Sequence, residues 1–125
     1  MPALPSFVRL DSSRLTLILD CRGRTPALLY FGKKLSVATE GAMLTLLSTR
    51  QEAKCSVVLE APVSLTPLSG EGFTGAPGLE LHNEQQAWSV GPQLTAVRQL
   101  SKQQVELVSV DSTRGIELTH SLTLD

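Results

Sequence analysis

Ile116-Glu117-Leu118-Thr119-His120-Ser121-Leu122-Thr123-Leu124 alternates apolar and polar side chains almost without a break. A period of two puts Ile116, Leu118, Leu122 and Leu124 on one face, and Glu117, Thr119, Ser121 and Thr123 on the other. That is the pattern of a half-buried strand in an antiparallel sheet with a polar outside. The same period recurs in Arg14-Leu15-Thr16-Leu17-Ile18-Leu19-Asp20. There Leu15, Leu17 and Leu19 point one way, and Thr16 and Ile18 the other. Further short apolar runs lie at Pro26–Phe31, Met43–Leu47, Ser56–Glu60, Leu79–His82, Leu94–Leu100 and Val105–Val110.

The residues between these runs are turn formers. Cys21-Arg22-Gly23-Arg24 separates two apolar runs and predicts a hairpin turn, as does Asp111-Ser112-Thr113-Arg114-Gly115. Proline and glycine cluster between Ala61 and Gly78, which predicts a long loop. Asn83-Glu84-Gln85-Gln86 is a second polar break. No segment sustains an apolar stripe at helical spacing. The best helical candidate, Thr45–Ala53, is short enough for one turn, or for a strand running into a loop. The expected fold is an all-β antiparallel β-sandwich with little or no helix. Residues 1–125 are expected to form a single domain.

Composition narrows the function classes. Hydrophobic residues make up 42% of the chain, enough for a core. Mean hydropathy is +0.08, which excludes an intrinsically disordered chain. Eleven basic residues against twelve acidic ones leave a net charge of -1. That balance gives no bulk electrostatic reason to bind nucleic acid or an anionic membrane. The N-terminus has no secretory signal, and no apolar stretch is long enough to span a bilayer. The expected location is therefore cytoplasmic. Cys21 and Cys55 have no partner at metal-ligand spacing. They read as two reduced, packed thiols, with a disulfide between them as the alternative. The chain stops at Asp125 directly after a strong strand signal, so the sequence reads as a fragment cut within or immediately after a strand, with a natural terminus tied into the sheet as the alternative.

Few residues announce chemistry. His120 occupies an apolar-face position on the last strand, where another leucine would be expected. It reads as a core histidine with a hydrogen-bonded nitrogen, or one facing a neighbouring segment; the competing reading is a ligand or catalytic base. His82 closes a short strand and is expected at the surface or rim. Gly70-Glu71-Gly72 lacks the lysine and the strand-to-helix setting of a phosphate loop. No Gly-x-Ser-x-Gly elbow is present. Phe73 and Trp88 are the aromatics near loops, and Trp88 reads as a core or interface residue. No catalytic residue, metal site or cofactor is expected.

Three segments together resemble the N-terminal region of bacterial α-galactosidases of glycoside hydrolase family 36. They are Phe7-Val8-Arg9-Leu10-Asp11 running into Arg14–Leu17, then Pro26–Leu35 with its Tyr30-Phe31-Gly32, and Pro67–Leu79 with its Gly70-Glu71-Gly72. The resemblance implies the opening part of an N-terminal β-supersandwich in a retaining hydrolase of terminal α-galactosides. The two catalytic aspartates of that family belong to a (β/α)₈ barrel, and no alternating strand–helix pattern is present here. The implied role is therefore non-catalytic: packing on the absent barrel and supporting self-association into a homo-oligomer, with galactosides met only through the parent enzyme. In many relatives an Asp-aromatic-Arg run follows the second glycine and approaches a neighbouring subunit's site. Phe73, Thr74 and Gly75 stand there instead, so Glu71 and Phe73 are the substrate-binding candidates that the resemblance leaves. The alternative is a free-standing β-sandwich module that binds carbohydrate or protein.

Overall fold

The computed structural model describes residues 3–36, 63–68, 75–82, 84 and 87–125. Among these residues eight strands are formed: β1 (Phe7–Asp11), β2 (Leu15–Asp20), β3 (Ala27–Lys33), β4 (Leu81–His82), β5 (Ala87–Trp88), β6 (Gln93–Gln99), β7 (Gln104–Asp111) and β8 (Ile116–Thr123). They make two three-stranded antiparallel meanders, β1-β2-β3 and β6-β7-β8, and a small β4-β5 hairpin. There is no helix among the described residues, and the architecture is all-β and sandwich-like.

Local chemistry explains the β1–β2 and β7–β8 turns. Ser12 Oγ accepts from the Arg14 and Leu15 amides at 3.2 and 3.1 Å, which closes the tight β1–β2 turn. The β2–β3 connection runs through the expected Cys21–Arg24 segment. In the β7–β8 turn, Asp111 Oδ1 accepts from the Thr113 and Arg114 amides at 3.0 and 3.1 Å. Gly115 then takes a positive φ of 66°, a left-handed conformation that costs a glycine nothing. β7 and β8 pair in unbroken register from Gln104↔Thr123 to Asp111↔Ile116.

Two ladders carry a bulge. In β3 the partners step from Ile18↔Tyr30 to Leu19↔Leu28, leaving Leu29 as the extra residue. In β6 they step from Leu94↔Ser109 to Ala96↔Val108, leaving Thr95 extra.

The core lies between the two meanders. Val8, Leu10, Leu19 and Cys21 from one side meet Leu94, Val105, Leu107 and Leu124 from the other. Leu15 and Leu17 pack against this cluster, as their alternation with Leu19 predicts. Thr16 and Ile18, on the opposite face of β2, are also fully buried, so both faces of that strand are covered.

Hydrogen bonds tie the meanders together along one flank, and a strap of chain lines the other. On one flank the Asp11 amide donates to the Lys102 carbonyl at 2.8 Å. Beside it, Gln99 Nε2 donates to the Arg9 carbonyl at 3.0 Å. The Leu94 amide donates to the Arg24 carbonyl at 2.8 Å. On the other flank residues 63–66 act as a strap. The Leu28 amide donates to the Val63 carbonyl at 2.7 Å, and the Leu65 amide to the Pro26 carbonyl at 3.2 Å. Part of the expected 61–78 loop thus lies against β3 with an isolated antiparallel bridge, Ala27↔Ser64. The expected runs Met43–Leu47 and Ser56–Glu60 and the helical candidate Thr45–Ala53 lie outside the described residues.

Candidate functional site

Three polar clusters sit among the described strands. The first is built on the face of β1 and β2 away from the core. Asp11 Oδ2 accepts from Arg9 Nε at 2.7 Å, and Oδ1 accepts from Thr16 Oγ1 at 2.6 Å and Arg9 Nη2 at 3.1 Å. Thr16 Oγ1 in turn accepts from the Leu35 amide at 3.0 Å, while Arg9 Nη2 donates to the Leu35 carbonyl at 2.8 Å. Both backbone groups of Leu35 are therefore held, and the chain leaving β3 is clasped over β1 and β2. The Arg9 guanidinium holds the Asp11 carboxyl below the usual carboxylate range, with the Thr16 hydroxyl adding to the effect against desolvation.

The second cluster is Asp111. Besides capping its own turn, it accepts from the Gly91 amide at 2.9 Å through Oδ2. These amide donors, Gly91 first, lower its pKa. Arg24 Nη2 donates to the Gly91 carbonyl at 2.8 Å, and a Cβ on Gly91 would lie 2.6 Å from that nitrogen, so the end of the Arg24 side chain would have to move aside.

The third cluster holds the one histidine on the inner face of β8. His120 Nε2 and Thr66 Oγ1 are 2.6 Å apart. The Thr66 amide donates to Ser64 Oγ at 3.2 Å, and Ser64 Oγ lies 3.4 Å from Thr25 Oγ1. A hydroxyl bonded to an imidazole is a nucleophile–base pair, to which a working triad adds a third group that orients the far nitrogen. No such group is found among the described residues: Nδ1 of His120 is buried without a hydrogen-bond partner. Either tautomer leaves a bare donor or a bare acceptor in the interior, which is costly. Burial also lowers the His120 pKa, so the ring is neutral at neutral pH. The arrangement joins the 63–66 strap to β8. His120 is thus the hydrogen-bonded interior histidine expected from its place in the alternation.

His82 lies at the surface, 3.2 Å from Glu80 through Nε2, with its side chain 61% exposed. Trp88 pairs through its backbone with Leu81. Glu71 and Phe73, the substrate-binding candidates, lie outside the described residues. Cys21 is a free, buried thiol whose pKa is pushed up to about 11 by burial, with the Asp20 charge adding to it. Among the described residues no group of three His, Cys, Asp or Glu side chains could hold a metal ion. No described helix is long and apolar enough to cross a membrane.

Sequence reasoning passed over Arg9, Asp11, Ser64, Thr66 and Gly91. Only the turn chemistry around Asp111 carried a local signal; the others acquire partners through tertiary contact. No family model, curated protein or solved structure matches the chain.

Proposed function

We propose that this chain is a non-catalytic β-sandwich module that acts by binding or packing rather than by chemistry. One observation carries the reading. Each of the three polar clusters joins one strand to another segment: Asp11 to Leu35, Asp111 to Gly91, and His120 to Thr66. Polar groups committed in this way are structural. A catalytic constellation instead needs an acid or base aimed at a substrate position.

The reading is tested with the folded chain and p-nitrophenyl glycosides, the α-galactoside included, and p-nitrophenyl acetate. The expected result is no release of nitrophenolate beyond that of a His120→Ala control. Turnover that disappears in Thr66→Val and His120→Ala would overturn it.

A narrower form of the proposal makes the partner the barrel of a retaining α-galactosidase. The three resembling sequence segments support it, and the comparisons add nothing to them. Its test is the protein expressed from the whole reading frame. A larger product that hydrolyses p-nitrophenyl α-galactoside, and stops doing so when residues 1–125 are deleted, would support this form. A whole-frame product without that activity would remove it while leaving the module reading in place.

A further inference from the structure

The overall charge of -1 conceals an uneven surface. Arg14 in the β1–β2 turn, Lys33 and Lys34 at the end of β3, and Lys102 in the β6–β7 turn are all exposed. The backbone brings them to one end of the sandwich. Lys33 stands opposite Leu15 in the β2–β3 ladder. The Lys34 amide donates to the Arg14 carbonyl, and the Asp11 amide to the Lys102 carbonyl, both at 2.8 Å. None of the four cations is in a salt bridge among the described residues. The nearby carboxylate of Asp11 is already held by Arg9 at 2.7 Å. Among the described residues Asp125 is a second acid at this end, since the Leu124 amide donates to the Gln103 carbonyl. At the opposite end cations are engaged: Arg22 pairs with Asp20 at 2.8 Å, and Arg24 donates to the Gly91 carbonyl at 2.8 Å.

Apolar side chains accompany the cations. Phe31, two residues before Lys33 on the same face of β3, is 59% exposed; Leu100, two residues before Lys102, is 56% exposed. Cations beside isolated exposed apolar groups suit an acidic protein segment that also carries apolar residues. A long nucleic acid fits less well: it needs a continuous basic track with stacking rings.

We propose that this end of the molecule, formed by Arg14, Lys33, Lys34 and Lys102 with Phe31 and Leu100, docks an acidic, partly apolar segment of a protein partner. The proposal rests on the reading of the chain as a binding module and names the partner's chemistry.

The test titrates the ¹⁵N-labelled chain with the peptide acetyl-Glu-Glu-Leu-Glu-Glu-Phe-Glu-Glu-amide. Amide shifts are expected to concentrate at residues 12–15, 31–34 and 100–103. Affinity should fall several-fold between ~50 and ~300 mM salt, because exposed charges are screened over about a Debye length. Arg14→Glu combined with Lys34→Glu should weaken binding about tenfold or more. Arg22→Glu, a control at the opposite end of the sandwich, should change it less than about twofold. The docking inference is overturned by no binding, by shifts elsewhere, by binding indifferent to the double reversal, or by a short oligothymidylate binding the same residues as tightly. In each of these cases a folded chain without hydrolytic activity leaves the module reading standing. Turnover in the glycoside and ester assays would remove that reading instead.

Discussion

Asp11 shows how one side chain can hold two layers of chain. Its carboxylate accepts from Arg9 and Thr16, and through them fixes both backbone groups of Leu35. Asp11→Ala should cost roughly 1 kcal/mol in a urea titration, at the modest end because the group is a quarter exposed. The pH dependence follows from the direction of the shifts. Asp11, Asp20 and Asp111 all have folded pKa values below the ordinary 3.8. Their stabilisation is present above pH 3.8 and is lost as pH falls through the depressed values. The urea midpoint should therefore drop on acidification below that point, and Asp11→Asn should flatten part of the drop. His120 acts in a different window. Its folded pKa lies below 6.5, so the unfolded chain binds the proton first, and stability falls as pH drops from 6.5 toward the folded value. Thr66→Val alone should cost about 1–2 kcal/mol, because it leaves Nε2 bare as well as Nδ1. Thr66→Val with His120→Leu should come back to within about 1 kcal/mol of the parent and abolish the dependence near pH 6. A double variant no more stable than Thr66→Val would refute this account. Ser109 makes the same point in isolation: its Oγ is buried without a partner, so Ser109→Ala should hold or raise the melting temperature.

At the scale of elements, the β7–β8 hairpin is where local signals agree most closely. Alternation on both strands, the Asp111 turn and Gly115 all specify one register, and the ladder runs without a shift. Gly115→Ala places a Cβ in open space, so any loss comes from the positive φ alone. About 1 kcal/mol is expected, read from thermal unfolding. β1 is different. Phe7–Asp11 is a short run that, taken by itself, carries no turn signal before it. It becomes a strand because Val8 and Leu10 meet Leu19 and Leu17 across the β1–β2 ladder. The 63–66 strap is further still from local legibility. Its proline- and glycine-rich context predicts a loop, yet Val63, Ser64 and Leu65 line up against the start of β3. What decides this is the unpaired backbone of β3's outer edge, which any nearby extended segment can satisfy.

Over the whole molecule, stability rests on the shared core. Leu107 is fully buried at the middle of β7 and belongs to the cluster joining both meanders. Leu107→Ala should cost about 2–5 kcal/mol in a denaturant titration, a large share of the stability of a small domain. Cys21 reports on the same core. With a buried thiol and a pKa pushed up to about 11, it should react slowly with a disulfide reagent at pH 8 in a Cys55→Ser background. Reaction should speed up on adding urea; fast labelling of the folded chain would contradict its place in the core.

Alternation and turn chemistry are local, so Leu15–Asp20, Val105–Val110 and Ile116–Thr123 were legible as strands, as were the turns at Cys21–Arg24 and Asp111–Gly115. His120 was legible as an inward-facing residue for the same reason. The identity of its partner was not, because Thr66 lies 54 positions away in a segment that reads as loop. The same holds for Gly91 with Asp111, and for Lys102 beside Asp11. A sequence states which face a side chain takes on its own strand. Which groups meet across the sandwich, and which charges gather at one end of it, depends on how the two meanders stack, and that is set by packing among residues far apart in the chain.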